Sequence, residues 1–249
     1  MKNILLSIQI FILTIAFVTP AASLASSKSI SGENGECVIL LHGLARSNKS
    51  FIKMASTLQR EGFYVINYNY PSTKYSISAL ANIFVKDAVS QCDQLKSTKT
   101  HFVTHSMGGI LVRQYLSQNN LENLGNTVML SPPNHGSEII DTLRKWSVFS
   151  YVNVPSARQL NTSFDSVPIK LGATNNSIGV ITGNRSFNPI LSLLIPGDDD
   201  GKVSVESAKL DGMGDFLIVP HSHIFIMDSD SVIEQTNYFL RNMRFDKRR

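Results

Sequence analysis

Short, continuous apolar runs alternate along this chain with longer segments in which apolar residues recur at helical spacing. Runs of this kind, bounded by turn residues, are typical of strands covered on both faces of a sheet. The predicted strands are 37–41, 63–68, 101–104, 127–130, 178–182 and 216–219.

Between these runs, apolar residues three and four positions apart predict amphipathic helices. The clearest are 51–58, 77–95, 110–117, 139–146 and 232–243. Strands that alternate with helices predict an α/β fold, in which a mostly parallel sheet has helices on both faces. Ligands of such sheets bind outside the carboxyl ends of the strands, so the residues after each strand become the candidates for function.

The first 25 residues have the features of a secretory signal. Lys2 gives a positive start, residues 4–18 are mainly apolar, and Ser-Leu-Ala at 23–25 is a cleavage motif. We therefore expect an exported protein, periplasmic or secreted, with an uncleaved anchor as the alternative. Residues 26–249 are then a single domain, in which the less regular 144–177 forms a small cap.

Composition excludes some functional classes. A hydrophobic content of 43% with 17% charged residues is typical of a globular domain. The net charge of +4 has no accompanying basic stripe with interleaved aromatic residues, so nucleic acid is not an expected partner. Cations at the C-terminus fit either peripheral contact with an anionic membrane or a solvated helix end. They are Arg241, Arg244, Lys247, Arg248 and Arg249.

Cys37 and Cys92 are the two cysteines of the chain. In an exported protein an even pair predicts a disulfide, with two buried thiols as the alternative. Neither cysteine stands at zinc-ligand spacing from a histidine. We expect no metal and no cofactor.

The segment HFVTHSMGG, residues 101–109, carries the most specific chemical signal. A strand, a serine, small residues and then a helix form the layout of a nucleophile elbow. Ser106 is the predicted nucleophile, and Gly108 lacks the Cβ that would clash in so sharp a turn. Thr104 departs from the usual pattern, which has glycine two residues before the serine.

Other strand ends supply the partners that a serine nucleophile needs. A serine requires a histidine base, and the histidine requires a carboxylate that orients it. Aspartates 198–200 follow the strand at 178–182, and His221 and His223 follow the last strand. The backbone amides of Leu44 and Met107 are placed to stabilise the oxyanion. The order serine, aspartate, histidine is that of α/β-hydrolases.

Several motifs together resemble an α/β-hydrolase of the bacterial lipase/esterase type, with features of the lipase branch that includes glycosylphosphatidylinositol inositol-deacylases. They are LLHGLARS (40–47), NYNYPS (67–72), HFVTHSMGG (101–109), PPNHGSE (132–138), PGDDDGKVSVESA (196–208) and HSHIFIM (221–227). The resemblance implies an α/β-hydrolase fold and hydrolysis of a small-molecule or lipid ester through an acyl-enzyme. An acyltransferase or amidase with the same triad, or a non-catalytic binding module, is the alternative. The oligomeric state is not predicted.

The resemblance also ranks the candidates for the acid and the base. Asp200 fits the family's Asp-Gly unit, and His223 precedes an apolar run as the family's catalytic histidine does. The remaining acids, in decreasing order of fit, are Asp199, Asp198, Asp211 and Glu138. His221 is the second candidate base.

Four further histidines are given other roles. His42 is expected to hold the oxyanion loop, and strand alternation is expected to turn His105 away from Ser106. His101 and His135 are expected to be structural or superficial. Arg46, beside the oxyanion loop, has two interpretations: contact with an anionic substrate, or ordinary solvation.

Overall fold

The structure is a computed structural model that describes residues 35–144 and 154–248. Six strands form one parallel sheet in the order β2-β1-β3-β4-β5-β6, which confirms the predicted α/β architecture. The strands are β1 (Glu36–Leu41), β2 (Tyr64–Tyr68), β3 (Lys99–His105), β4 (Leu124–Leu130), β5 (Ile178–Gly183) and β6 (Asp215–Val219).

The strand order determines where the site forms. The chain passes from β1 outward to β2 and then returns to place β3 on the other side of β1. A crevice opens at such a switch point, beyond the carboxyl ends of the strands. Leu41 is paired with Thr104 at those ends, so the turn after β1 and the serine after β3 come side by side.

Helices cover both faces of the sheet. The predicted helix over 77–95 forms as two α-helical pieces joined by a π-helical turn at Ala81–Val85. The α-helices are α1 (Ile52–Arg60), α2 (Ile77–Leu80), α3 (Lys86–Gln94), α4 (Met107–Leu116), α5 (Glu138–Arg144), α6 (Pro155–Arg158), α7 (Val167–Lys170), α8 (Pro189–Ser192), α9 (Val205–Ala208) and α10 (Asp230–Asn242). Single 3-10 turns lie at Asn48–Phe51 and Ile226–Asp228.

Strand β1 shows why the predicted strands are continuously apolar. Its Ile39 and Leu41 are buried in the core on one face of the sheet, together with residues of α2, α3 and α4. Val38 and Leu40 are buried on the other face, together with residues of α1 and α10. Every position of a strand covered on both faces loses contact with water, so no polar alternation remains.

A disulfide joins Cys37 of β1 to Cys92 of α3, as the composition predicted. Both cysteines are fully buried, and they are separated by 55 positions in the sequence. The bridge therefore ties a central strand to the helix that covers it.

Two predicted segments fall outside the described residues: the signal at 1–25, and part of the proposed cap, residues 145–153. The described remainder of the cap segment packs onto the body of the domain. Ala157 and Leu160 are buried in the core, and Arg113 of α4 donates to the carbonyls of Pro168 and Gly172. Within the described ranges, no helix has the length and apolar character needed to cross a membrane.

Candidate active site

Ser106 occupies the sharp turn between β3 and α4. Its φ of 53° is a strained backbone conformation for a residue with a side chain, as a nucleophile elbow requires. The Ser106 amide donates to the Leu130 carbonyl at 2.8 Å, and the Ser106 carbonyl accepts from the Gly109 amide at 3.0 Å. These bonds hold the strained residue from both sides.

Gly108 allows this turn to pass close to β1. A Cβ added there would lie 2.4 Å from the Leu41 carbonyl oxygen and 3.0 Å from that of His42. Backbone atoms cannot move aside as a flexible side chain can. Glycine is therefore required at this position by the approach of the two segments.

Thr104 is accommodated within the elbow although glycine is usual there. It is fully buried, and among the described residues its hydroxyl has no hydrogen-bond partner. The hydroxyl lies beside Gly109, where an added Cβ would be 3.2 Å away from it. A small residue at 109 thus offsets the larger one at 104.

The turn after β1 lies directly against the serine. A Cβ on Gly43 would be 3.1 Å from the Ser106 Cβ, so the backbone of this loop approaches Ser106 closely. The Ala45 amide donates to the Ser72 hydroxyl at 3.0 Å, and the Arg46 amide donates to the Gly43 carbonyl at 3.3 Å. Leu44 lies between these two tethers, at the wall of the cavity that contains Ser106.

His42 holds this loop, as expected. Its ring stacks on Tyr70 with centroids 4.1 Å apart, its Nδ1 donates to the Gly43 carbonyl, and its Nε2 accepts from the Tyr70 amide. The Tyr70 hydroxyl donates to the His42 carbonyl. Burial lowers the pKa of His42, which favours the neutral ring that this bonding needs.

His223 and Asp200 form a buried pair. Nδ1 of His223 donates to Oδ2 of Asp200 at 2.8 Å, and the His223 amide donates to the Asp200 carbonyl at 2.9 Å. Because the carboxylate can only accept, Nδ1 carries a hydrogen, and the neutral form of the ring then has its lone pair on Nε2. The pair is therefore in the tautomer that a general base requires.

The second carboxylate oxygen of Asp200, Oδ1, is held by the loop that contains Asp200. Oδ1 accepts from the amides of Lys202 and Val203 at 3.0 and 2.9 Å. Burial alone would raise the pKa of Asp200, but attraction to the imidazolium form of His223 and hydrogen bonds from His223 and the Val203 amide hold it below the ordinary value. Asp200 is thus kept as a carboxylate.

The competing acids have other partners. Asp199 accepts from the Ser192 hydroxyl and the Gly201 amide, which shapes the acidic loop. Glu138 accepts from the Ser204 hydroxyl at 2.7 Å. Asp198 and Asp211 are exposed. Of the five candidate acids, the structure brings Asp200 into hydrogen-bond contact with a candidate histidine.

His105 differs from its sequence expectation, which turned it away from Ser106. The ring lies against that of His223, with centroids 4.6 Å apart, and both rings line the cavity that contains Ser106. Its Nε2 donates to the His223 carbonyl at 2.9 Å. The absent side chain of Gly43 leaves room for this ring. Burial and the nearby His223 hold the pKa of His105 well below its ordinary value.

The other histidines lie apart from the pair. His221 bonds through Nε2 to the Ser229 hydroxyl, and His135 is exposed. His101 is buried, accepts from the Asn126 amide, and lies 3.6 Å from a carboxylate oxygen of Glu36. In the part of the chain that the structure describes, no three His, Cys, Asp or Glu side chains form a group able to hold a metal ion.

Ser106 and His223 open into one cavity of about 510 Å³. A large part of its wall is apolar, formed by Leu44, Pro133, Ile139, Ile140, Leu143, Leu160, Val203 and Ile224. Leu160 belongs to the segment predicted as a cap. A serine, a carboxylate-bound histidine and an apolar chamber thus share one crevice at the switch point of the sheet.

Comparison with solved structures finds the same fold in several enzymes. A mature lipase from Bacillus licheniformis aligns over 84% of this chain and 91% of its own, with 17% identity and a TM-score of 0.64. Phospholipase PlaB from Legionella pneumophila aligns over 84% of this chain and 59% of its own, with 17% identity and a TM-score of 0.63. A metagenomic carboxyl esterase aligns over 78% and 66%, at 17% identity and a TM-score of 0.61.

At these identities the likeness demonstrates the fold rather than the substrate. No curated protein matches the chain in sequence. The sequence model of the alpha/beta hydrolase fold matches residues 36–173, which is more than half of the chain and includes the turn after β1 and the turn at Ser106. The chain belongs to the alpha/beta hydrolase fold family.

Proposed function

We propose that this protein is a serine hydrolase that cleaves carboxylic esters through an acyl-enzyme, with Ser106, His223 and Asp200 as its triad. The observation that carries the proposal is the shared cavity. A serine held at a strained elbow and a histidine whose Nδ1 is bound by a buried carboxylate both line it.

The proposed reaction follows from the roles of these groups. Ser106 Oγ attacks the ester carbonyl carbon while His223 Nε2 takes its proton. The oxyanion accepts from the amides of Leu44 and Met107; Met107 begins α4, where backbone amides have no acceptor within the helix. Collapse expels the alcohol, which receives the proton from His223. Water activated by His223 then hydrolyses the acyl-enzyme in the same manner.

The apolar wall supports a substrate with a hydrocarbon acyl chain. Exposed apolar side chains continue this surface outside the cavity, since Phe187 packs edge-on against Phe225, next to Ile224 of the wall. Phe187 and Phe225 are 75% and 54% exposed. Apolar surface next to an active site favours a lipid ester over a small polar one. The lipase and phospholipase with this fold are consistent with that choice.

The location and contacts of the protein remain part of the proposal. The disulfide supports export through the signal at 1–25 to the periplasm or beyond, because such bonds persist in oxidising compartments. The basic C-terminus supports membrane contact less well, because three of its cations already lie near carboxylates of this chain. Lys247, Arg248 and Arg241 lie 2.7, 3.0 and 3.8 Å from carboxylates of Asp215, Asp246 and Glu61.

Hydrolysis of p-nitrophenyl butyrate tests the proposal. The wild type should cleave it, and S106A should lose the activity while keeping the circular dichroism and melting temperature of the wild type. Ser117→Ala, an exposed serine at the end of the same helix, is the matched control and should retain activity. Activity retained in S106A would contradict the assignment.

The same assay distinguishes the alternatives. Addition of a primary alcohol should give mainly free acid if the enzyme is a hydrolase and mainly a new ester if it is an acyltransferase. A folded wild type that cleaves no ester and no anilide would indicate a binding module.

A further inference from the structure

Two cationic side chains share the cavity with Ser106 and His223. Arg46 belongs to the oxyanion loop after β1, and Lys202 belongs to the loop that carries Asp200. The two residues come from distant parts of the sequence, and the fold brings both to the wall of one chamber. The mechanism proposed above uses neither of them.

Neither cation is neutralised by a neighbouring carboxylate. Across residues 35–144 and 154–248, no carboxylate oxygen lies within 4.0 Å of a side-chain nitrogen of Arg46 or Lys202, and no described residue that lines the cavity is acidic. The cavity therefore has positive charge on a largely apolar wall.

Arg46 is placed with hydrogen-bonding capacity to spare. Nη2 of Arg46 donates one hydrogen bond to the Ile224 carbonyl, at 2.8 Å. Ile224 directly follows His223 in the sequence, and the bond fixes the guanidinium beside it. Its Nε is buried and has no acceptor among the described residues. A buried N–H without a partner is costly, and an anionic oxygen atom is the acceptor that would satisfy it best.

The ammonium of Lys202 lies within the electrostatic influence of the Arg46 charge. Partial removal from water, together with the charge of Arg46, lowers the pKa of its ammonium, and the carboxylate of Asp200 opposes this effect. Asp200 is already bound by His223 and by two amides. An incoming anion would relieve the repulsion between the two cations.

We propose that the ester cleaved by this site carries an anionic group, carboxylate or phosphate, which Arg46 and Lys202 bind next to the reacting carbonyl. This inference rests on the proposed ester hydrolysis and adds a charge requirement to it. Arg46 is two residues from Leu44, and Lys202 is two residues from Asp200. The anion would therefore lie close to Ser106, with the apolar wall left for the hydrocarbon part.

Two matched pairs of soluble esters test the inference and separate the sources of the anion. Mono-p-nitrophenyl succinate and p-nitrophenyl butyrate differ by a carboxylate in place of a methyl on the acid side. Dibutanoyl phosphatidic acid and dibutanoylglycerol differ by a phosphate on the alcohol side. The measured quantity is the ratio of kcat/KM for the anionic ester to that for its neutral partner.

We expect this ratio to exceed about tenfold in one pair, as a charge-assisted hydrogen bond allows. The pair that shows it identifies the source as a carboxylate ester or a phospholipid-like one. K202Q should lower the ratio about threefold, because one of the two cations is lost, and R46Q/K202Q should bring it to about one. K49Q, at an exposed lysine outside the cavity lining, should leave it unchanged. Salt should also reduce the wild-type ratio.

The outcomes separate the two proposals. Hydrolysis of the neutral esters without preference for an anionic partner would overturn the anion inference and leave the proposed function standing. A preference that survives in R46Q/K202Q would also overturn it. Failure of the folded wild type to cleave any of the four esters would overturn both.

Discussion

Asp200 binds His223 twice, once through its side chain and once through its backbone. The Asp200 carboxylate accepts from the imidazole at 2.8 Å, and the Asp200 carbonyl accepts from the His223 amide at 2.9 Å. The second bond fixes the distance between two loops that follow different strands. The first bond fixes the ring and its tautomer on that frame. Orientation of the His223 ring thus depends on one residue of the acidic loop.

Replacing Asp200 by asparagine should lower kcat by about 10⁴-fold, because the histidine can then adopt the wrong tautomer. The carbonyl bond to His223 remains, so the fold should persist. Kinetics with an activated ester and a thermal melt measure the two effects. D199N is the control, because it weakens the contacts of Asp199 with Ser192 and Gly201. It should lower the melting temperature and should reduce kcat much less than D200N does. A larger loss of kcat in D199N than in D200N would identify Asp199 as the acid.

Gly108→Ala should prevent the elbow from forming correctly. The new Cβ would lie 2.4 Å from a backbone oxygen of Leu41, so the strand or the helix must move. We expect a loss of about 3 kcal/mol or more in unfolding free energy, at the upper end for an overpacked site. Urea unfolding measures it. At Gly109 an added Cβ meets side-chain atoms at 3.2–3.3 Å, so G109A should cost less. Equal losses would contradict this account of the turn.

Removal of the disulfide by C37A/C92A should lower the unfolding free energy by about 4 kcal/mol, from the entropy of an unfolded chain no longer closed over 55 positions. Chemical denaturation of oxidised wild type and of the double variant gives this value. Reduced wild type should unfold like the variant. A difference below about 1 kcal/mol would show that the bridge does little to restrict the unfolded chain.

Buried histidines should make the protein less stable in mild acid. The pKa values of His42, His101 and His105 are lowered in the folded state, chiefly by burial, so the unfolded chain binds protons first. The unfolding free energy therefore has its full value above the ordinary histidine pKa of about 6.5. As the pH falls below about 6.5, the unfolding free energy decreases by up to about 1.4 kcal/mol per pH unit for each ring. Asp200, whose pKa is also lowered, adds its loss only below about pH 4.

Urea unfolding between pH 7.5 and 5 measures this slope. H105Q should make it shallower, whatever its effect on stability at pH 7.5. The control H135Q, at an exposed position, should leave the slope as it is. A slope unaffected by H105Q would exclude His105 as a source of acid sensitivity.

The sheet was predictable because burial on both faces leaves a simple pattern. Each continuous apolar run became a parallel strand, and Gly108 could be explained before any contact was known. The short helices α6 to α9 were not predicted, because four residues are too few to establish a helical period. Their positions depend on tertiary contacts such as that between Arg113 and the carbonyls of Pro168 and Gly172.

The candidate site was predictable as an ordered set of residues but not as a set of contacts. Order along the chain indicated a serine, an acid and a histidine. It did not indicate that His105 would pack on His223, since strand alternation ends where the chain enters the turn at Ser106. Lys202 gave no signal either. Lys202 lies at the cavity because the Asp200 carboxylate accepts from the backbone amides of Lys202 and Val203 and so closes this loop.

Reaction with a fluorophosphonate is the most direct test of the central claim, because the probe phosphonylates only a serine activated by its base and oxyanion donors. The wild type should gain one adduct, located on Ser106 by peptide mass spectrometry, and S106A should gain none. D200N should react much more slowly. A folded wild type that remains unlabelled, or that is labelled at another residue, would contradict the assignment of Ser106 as the nucleophile.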